Sequence, residues 1–295
     1  MNLLNKLHQF FLSEIAKRRI EKTILYVALF GFFIHLILIY LAKGGIINLS
    51  LESALFKNPI SAIYTPFSFI LVYEVYLLIY YLPKSFTTYV TKQYEIITLI
   101  IIRKLFKDLS VLELSSDWFQ IKGDLQFTYD ILASIILFYL IFQFQKQGMQ
   151  KAIQQKENQL KIERFISRKK IIAIALVPIF FIMALITLIN WTSGVSFVSN
   201  DLPSFETINN LFFDKFFTVL ILVDVVLLLI SFFYTDKFHK IIRNSGFVVS
   251  TILIRMSFGV SGLISTVLIV VAALFGLAIL IIHNKYEKNI KISTS

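Results

Sequence analysis

Six stretches of this chain run for about a bilayer's width with almost no charge: 23–42, 66–82, 127–145, 171–190, 215–234 and 261–283. Each is of the order of the ~18–20 apolar residues that cross a hydrocarbon core as a helix. A water-soluble fold of 295 residues would leave too much of this apolar surface in contact with water; apolar residues make up 57% of the chain and charged ones 16%, with a mean hydropathy of +0.76. The expected fold class is an all-α integral membrane protein. Transmembrane β-barrels do not fit, because the runs are too long and lack the two-residue alternation of barrel strands.

Two weaker runs, 94–111 and 246–260, carry the most telling residues. A phrase recurs in them: Ile100-Ile101-Ile102-Arg103-Lys104-Leu105-Phe106 and Ile252-Leu253-Ile254-Arg255-Met256-Ser257-Phe258. Upstream of each arginine an acid is embedded in an apolar run. Glu74 ends Phe67-Ser68-Phe69-Ile70-Leu71-Val72-Tyr73-Glu74, and Asp224 ends Phe217-Thr218-Val219-Leu220-Ile221-Leu222-Val223-Asp224. An unpaired charge at the bilayer centre costs about 2.5–3.5 kcal/mol on insertion scales, so a duplicated acid and a duplicated base point to pairing. The weaker hydropathy of 94–111 and 246–260 fits helices shielded by neighbours. If they are instead interfacial or re-entrant, the chain has six spans.

With eight spans and the N-terminus inside, the inner segments hold 21 of the 29 Lys and Arg, and the outer segments hold four. That bias places both termini in the cytoplasm and the protein in the cytoplasmic (inner or plasma) membrane. Charge also explains the net +11 without nucleic acid as a partner; the partner implied is the lipid bilayer. A six-span chain also keeps both ends inside. No small-residue cleavage site follows the first apolar run, so no cleavable signal peptide is expected.

The expected organisation is about eight transmembrane helices in two tandem, parallel four-helix units. Residues 1–22 form an amphipathic interfacial helix, the bland alternative being a partly ordered tail. The first unit is 23–145, a half-solvated helical connector occupies 146–170, the second unit is 171–283, and 284–295 is a cytoplasmic tail. An even number of spans gives both units the same orientation, related by an axis along the membrane normal. The longer outer loops 43–65, 112–126 and 191–214 contain Gly44-Gly45, Asn58-Pro59 and Leu202-Pro203 as break signals.

At about 1.5 Å per helical residue, Glu74, Asp224, Arg103 and Arg255 all fall near the midplane. Antiparallel neighbours would bring Glu74 to Arg103 and Asp224 to Arg255, as ion-path groups or as locks on helix register. His35 is expected near the height of Glu74, either relaying protons or sitting neutral against a backbone carbonyl or Tyr73. Asp130 is expected as a solvated residue at the outer interface, the alternative being a vestibule charge. Arg103 and Lys107 share a helix face, with Lys104 and Asp108 beside them. The charge pattern resembles voltage sensors in opposing an acid to arginine. One charge moved through 100 mV yields only about 2.3 kcal/mol, so steep voltage dependence from Arg255 alone is not expected.

The chain has no cysteine, which excludes disulfides, thiol catalysis and cysteine-bound zinc. The histidines are His8, His35, His239 and His283, and no zinc-binding motif, phosphate-cradling loop or serine-nucleophile motif occurs. The Ser257, Ser261, Ser265 and Thr266 group, with Gly259 and Gly262, is expected to permit close helix packing. No enzyme, catalytic residue, cofactor or metal is expected. The leading expectation is a small-cation or proton channel or transporter using Glu74, Arg103, His35, Asp224 and Arg255. The alternative is a non-transporting scaffold or signalling subunit that meets a second copy or a membrane-complex partner through 146–170.

Overall fold

The computed structural model describes residues 3–46, 59–109, 122–149, 159–194, 205–235, 237–260 and 262–294. Every regular element among them is helical: α1 (Leu3–Leu12), α2 (Glu14–Lys43), a 3-10 turn (Pro59–Ile63), α3 (Tyr64–Tyr81), α4 (Phe86–Leu109), α5 (Lys122–Met149), α6 (Gln159–Gly194), α7 (Phe205–Phe232), α8 (Phe238–Ser257) and α9 (Leu263–Thr294). Five of these, α2, α5, α6, α7 and α9, contain segments long and apolar enough to cross a membrane, and α3 supplies a shorter apolar segment, Thr65–Tyr81. They contain the six strongest runs of the sequence. The helices that carry Arg103 and Arg255, α4 and α8, fall outside this set because polar and charged residues such as Lys92, Glu95, Lys240 and Arg243 dilute their apolar faces.

Three sequence expectations are corrected. The amphipathic N-terminal helix stops at Leu12 rather than near residue 22. Ser13 adopts extended backbone (φ −84°, ψ 160°) and its hydroxyl accepts from the Ala16 N–H at 3.1 Å, which starts α2 at Glu14. Helix α2 then runs 30 residues, about 45 Å, through the first apolar run without a break. The connector is not a separate element at its described ends. Helix α5 continues to Met149 and α6 begins at Gln159, so both flanks of 146–170 belong to long apolar helices, while 150–158 lie outside the described residues. Finally, α8 ends at Ser257. Gly262 takes φ +77° in the turn before α9, so Gly259 and Gly262 serve the reversal and not the interior of a last span. Ser261, Leu202-Pro203 and residues 47–58, 112–121 and 195–204 of the expected loops lie outside the described residues.

The chain forms two compact units that interleave along the sequence. One comprises 1–80, 103–118 and 174–216. Within it α2 packs on the 3-10 turn, and Gly31 lies so close to Thr65 and Phe69 that a Cβ would sit 3.0–3.1 Å from them. The Tyr76 hydroxyl donates to the Phe11 carbonyl at 2.8 Å and the Tyr80 hydroxyl donates to Glu14, tying α3 to α1 and to the start of α2.

The other unit comprises 81–102, 119–173 and 217–295. Its centre is α9 against α8 and α5. Helix α4 contributes Phe86, Val90, Tyr94, Ile97 and Ile101, a stripe at three- and four-residue spacing, and α9 contributes Ile269, Ala272, Ala273, Leu277 and Leu280 at the same spacing. Helix α5 buries Leu137, Leu140, Ile141 and Phe144, yet its opposite face (Ile135, Phe138, Tyr139, Phe142) is exposed and equally apolar. A helix apolar on its outer face as well needs a hydrocarbon neighbour there, consistent with membrane localisation. Gly276 makes room for Tyr94: a Cβ would collide with the Tyr94 hydroxyl, which shares a 2.6 Å hydrogen bond with Ser250, itself donating to the Ala272 carbonyl.

Candidate functional site

In the first unit, α3 and α4 bring Glu74 and Arg103 together. Arg103 Nη1 donates to Glu74 Oε2 at 2.9 Å and lies 3.4 Å from the Phe67 carbonyl. The carboxylate side chain is 3% exposed and the guanidinium side chain 13%. Beyond the pair, the rings of Phe67 and Phe106 lie 5.4 Å apart. Phe67 is two turns before Glu74 on α3, and Phe106 is one turn after Arg103 on α4, so the long arginine side chain spans the offset between antiparallel partners. His35 on α2 is buried, with Nδ1 2.6 Å from the Thr65 hydroxyl at the start of α3. That partner was absent from the two expected for a neutral histidine. The Lys107 and Asp108 side chains lie outside the described residues.

In the second unit, α7 and α8 bring Asp224 and Arg255 together. Arg255 Nη1 donates to Asp224 Oδ2 at 2.7 Å, and the two side chains are 1% and 2% exposed. The Tyr89 hydroxyl on α4 donates to Oδ1 at 3.0 Å. The Thr251 hydroxyl lies 3.3 Å from Oδ2 and 3.0 Å from the Val248 carbonyl, so its single proton serves one or the other. Arg255 Nη2 is buried with no hydrogen-bond partner among the described residues. The rings of Phe217 and Phe258 stack at 5.4 Å. Arg255 lies in the last turn of α8, where the backbone reverses after Ser257 and the helix's terminal carbonyls favour a cation.

Asp130 corrects another expectation. It is 3% exposed rather than solvated. Oδ1 accepts from the Thr266 hydroxyl on α9 at 2.6 Å and from the Gln126 amide, one turn away on α5, at 2.9 Å. Thr266 is therefore a partner for a buried acid, and Ser265 donates to the Ser257 carbonyl at 2.8 Å across the α8–α9 turn. Lys169, expected in a half-solvated connector, is 1% exposed. Its Nζ donates to the Lys84 carbonyl at 2.7 Å and sits 4.6 Å and 5.2 Å from the Phe86 and Phe165 ring centres.

Sequence reading brought the two acid–arginine pairs together correctly but missed Tyr89, Thr251 and Lys169. Their positions carry weak signals only. Tyr89 lies in a polar stretch between runs, and nothing in its neighbours marks it as the second donor to an acid 135 residues away. His239, His283 and Glu287 form a further cluster on α8 and α9 that sequence spacing does not reveal. As arranged, each pair neutralises a buried charge by direct contact with its counter-charge, and the Asp224 site adds the Tyr89 hydroxyl as a neutral donor to the oxygen that Arg255 leaves open. Comparison with protein-family models, curated proteins and solved structures returns no match to this chain.

Proposed function

We propose that this chain is an eight-helix protein of the cytoplasmic membrane, with both termini inside, whose duplicated acid–arginine pairs brace helix packing in a scaffold or signalling subunit. The observation that carries this reading is the closure of both pairs. Asp224 has a donor on each oxygen and a partner cation that is 1% exposed, so ion passage there would first require breaking a desolvated contact. A proton or cation path needs a site that exchanges its occupant, and a carboxylate held by arginine has its counter-ion built in.

The duplication gains support from a four-residue set. Phe67, Glu74, Arg103 and Phe106 correspond to Phe217, Asp224, Arg255 and Phe258 at offsets of 150 to 152 residues, and each set makes one ion pair and one ring contact. Tandem units 23–145 and 171–283 related by an axis along the membrane normal account for this recurrence. Helices α4 and α8 then cross the membrane shielded by their neighbours, and the flanks of 146–170 offer the cytoplasmic contact surface for a partner or a second copy.

A second reading, conduction of protons or a small cation, rests on the looser first pair, where the Arg103 side chain keeps 13% of its surface. Flux measured in proteoliposomes separates the two. The bracing reading expects wild-type flux equal to that of protein-free vesicles, together with a stoichiometric partner that is lost when the exposed Glu163 and Arg164 of the connector are reversed in charge. Flux in the wild type that Glu74→Gln abolishes, with Asp224→Asn unchanged, would overturn bracing and establish a path through the first unit.

A further inference from the structure

Two of the four histidines meet at the far end of α8 and α9, away in sequence from both acid–arginine pairs. His283 and Glu287 are one turn apart on one face of α9, and His239 enters from the first turn of α8. One carboxylate oxygen, Glu287 Oε1, lies 3.3 Å from His283 Nε2 and 3.7 Å from His239 Nε2. A donor atom from each of the three side chains lies within 4.8 Å of the other two. A tetrahedral zinc ion with bonds of about 2.0–2.1 Å holds its donors roughly 3.3 Å apart. Glu287 Oε1 already sits at that spacing from His283 Nε2, and the widest donor separation would close by up to about 1.5 Å around an ion. The imidazoles are stacked at 5.2 Å and 24°, and Tyr286 stacks on the His239 ring at 5.3 Å, which restricts the rings before any ion arrives. Glu287 and His239 keep 19% and 11% of their side-chain surface, leaving a route in, while His283 is buried.

We propose that His239, His283 and Glu287 form a binding site for a divalent transition ion of the zinc type, stapling the first turn of α8 to α9. Two imidazoles and one carboxylate are a borderline-soft donor set suited to zinc and poorly suited to calcium or magnesium, which take oxygen donors. Three protein donors leave the fourth tetrahedral position for water. Arg243, one turn after His239, tunes the site. Its Nη1 lies 3.1 Å from His283 Nε2, while Nε and Nη2 hold the Asn244 side-chain oxygen at 3.2 and 2.9 Å. Donation from the guanidinium occupies the same lone pair an ion needs, and its charge opposes a second cation. Arg243 is therefore a built-in competitor, displaced when the ion binds.

The test uses full-length protein in detergent, with its purification tag removed and stripped by chelator, titrated with Co²⁺ and then Zn²⁺. Expected are about one ion per chain, a tetrahedral cobalt absorption spectrum bleached by zinc, and a zinc-dependent rise in Tm. Glu287→Gln and His239→Gln each lower affinity by about tenfold or more, whereas Arg243→Gln raises it. Far-ultraviolet dichroism and elution volume check that the variants fold. His239→Gln, at the partly exposed start of α8, carries the comparison if Glu287→Gln does not fold. No uptake by the wild type, or uptake indifferent to these substitutions, overturns the assignment and leaves the cluster as a hydrogen-bonded contact between two helices.

Discussion

Arg103 and Arg255 do the same local job with different degrees of enclosure: 13% of the Arg103 side chain is exposed and 1% of that of Arg255. Removing one partner of a buried pair leaves the other charge desolvated, typically at about 3–5 kcal/mol. Arg255→Ala should approach that range, because the Asp224 and Arg255 side chains are 2% and 1% exposed. Arg103→Ala should cost less, since its side chain, 13% exposed, is less tightly enclosed than that of Arg255. Chemical unfolding in detergent, followed by helical dichroism, measures both. Replacing both partners at once with apolar residues of similar volume, Asp224→Leu with Arg255→Met, should recover most of the loss; a double variant as unstable as Arg255→Ala would contradict a purely bracing role. The pair itself was legible in the sequence, because an acid and a base isolated in apolar runs have no cheaper state than each other. Tyr89 and Thr251 were not legible, since hydroxyls are common in apolar helices and their donors reveal themselves only once the helices are docked.

At the scale of elements, close approach between helices rests on single small residues. Gly276 on α9 admits the Tyr94 hydroxyl from α4, where any Cβ would collide. Gly276→Ala should therefore destabilise by about 1–3 kcal/mol. Tyr94→Phe removes the colliding oxygen, so the glycine substitution should cost less in that background, and a double-mutant cycle measures the difference. The break between α1 and α2 depends on Ser13. Ser13→Ala should cost about 1 kcal/mol, read as a lowered Tm, because the Ala16 N–H loses its acceptor. The sequence pattern located helices α2 to α9 among the described residues but misplaced several of their ends. Hydropathy reports where hydrocarbon would cover a helix. Backbone hydrogen bonding carries α2, α5 and α6 well past that layer, and a serine cap or a left-handed glycine ends a helix irrespective of hydropathy.

For the whole molecule, the charge bias makes a topological prediction that the absence of cysteine renders clean. Single cysteines at Lys146 and Lys215 sit at the ends of apolar segments. If α4 and α8 cross, a membrane-impermeant thiol reagent added outside intact cells labels Lys215→Cys and spares Lys146→Cys. If they lie flat, six spans remain and the labelling reverses. The two compact units draw on segments scattered along the chain, with α4, α6 and α7 each divided between them.

The sequence by itself determined the helical class, the segments apolar enough for lipid and the charges that must find partners within them, because insertion into hydrocarbon penalises every unpaired charge and every unsatisfied peptide group. Only the tertiary structure decided that Asp130 and Lys169 are buried with partners, that Arg255 ends its helix, and that His239 meets His283 and Glu287. Those outcomes depend on which faces of distant helices come together, and a polar residue's cost or benefit is set by the donor or acceptor that the opposite helix presents.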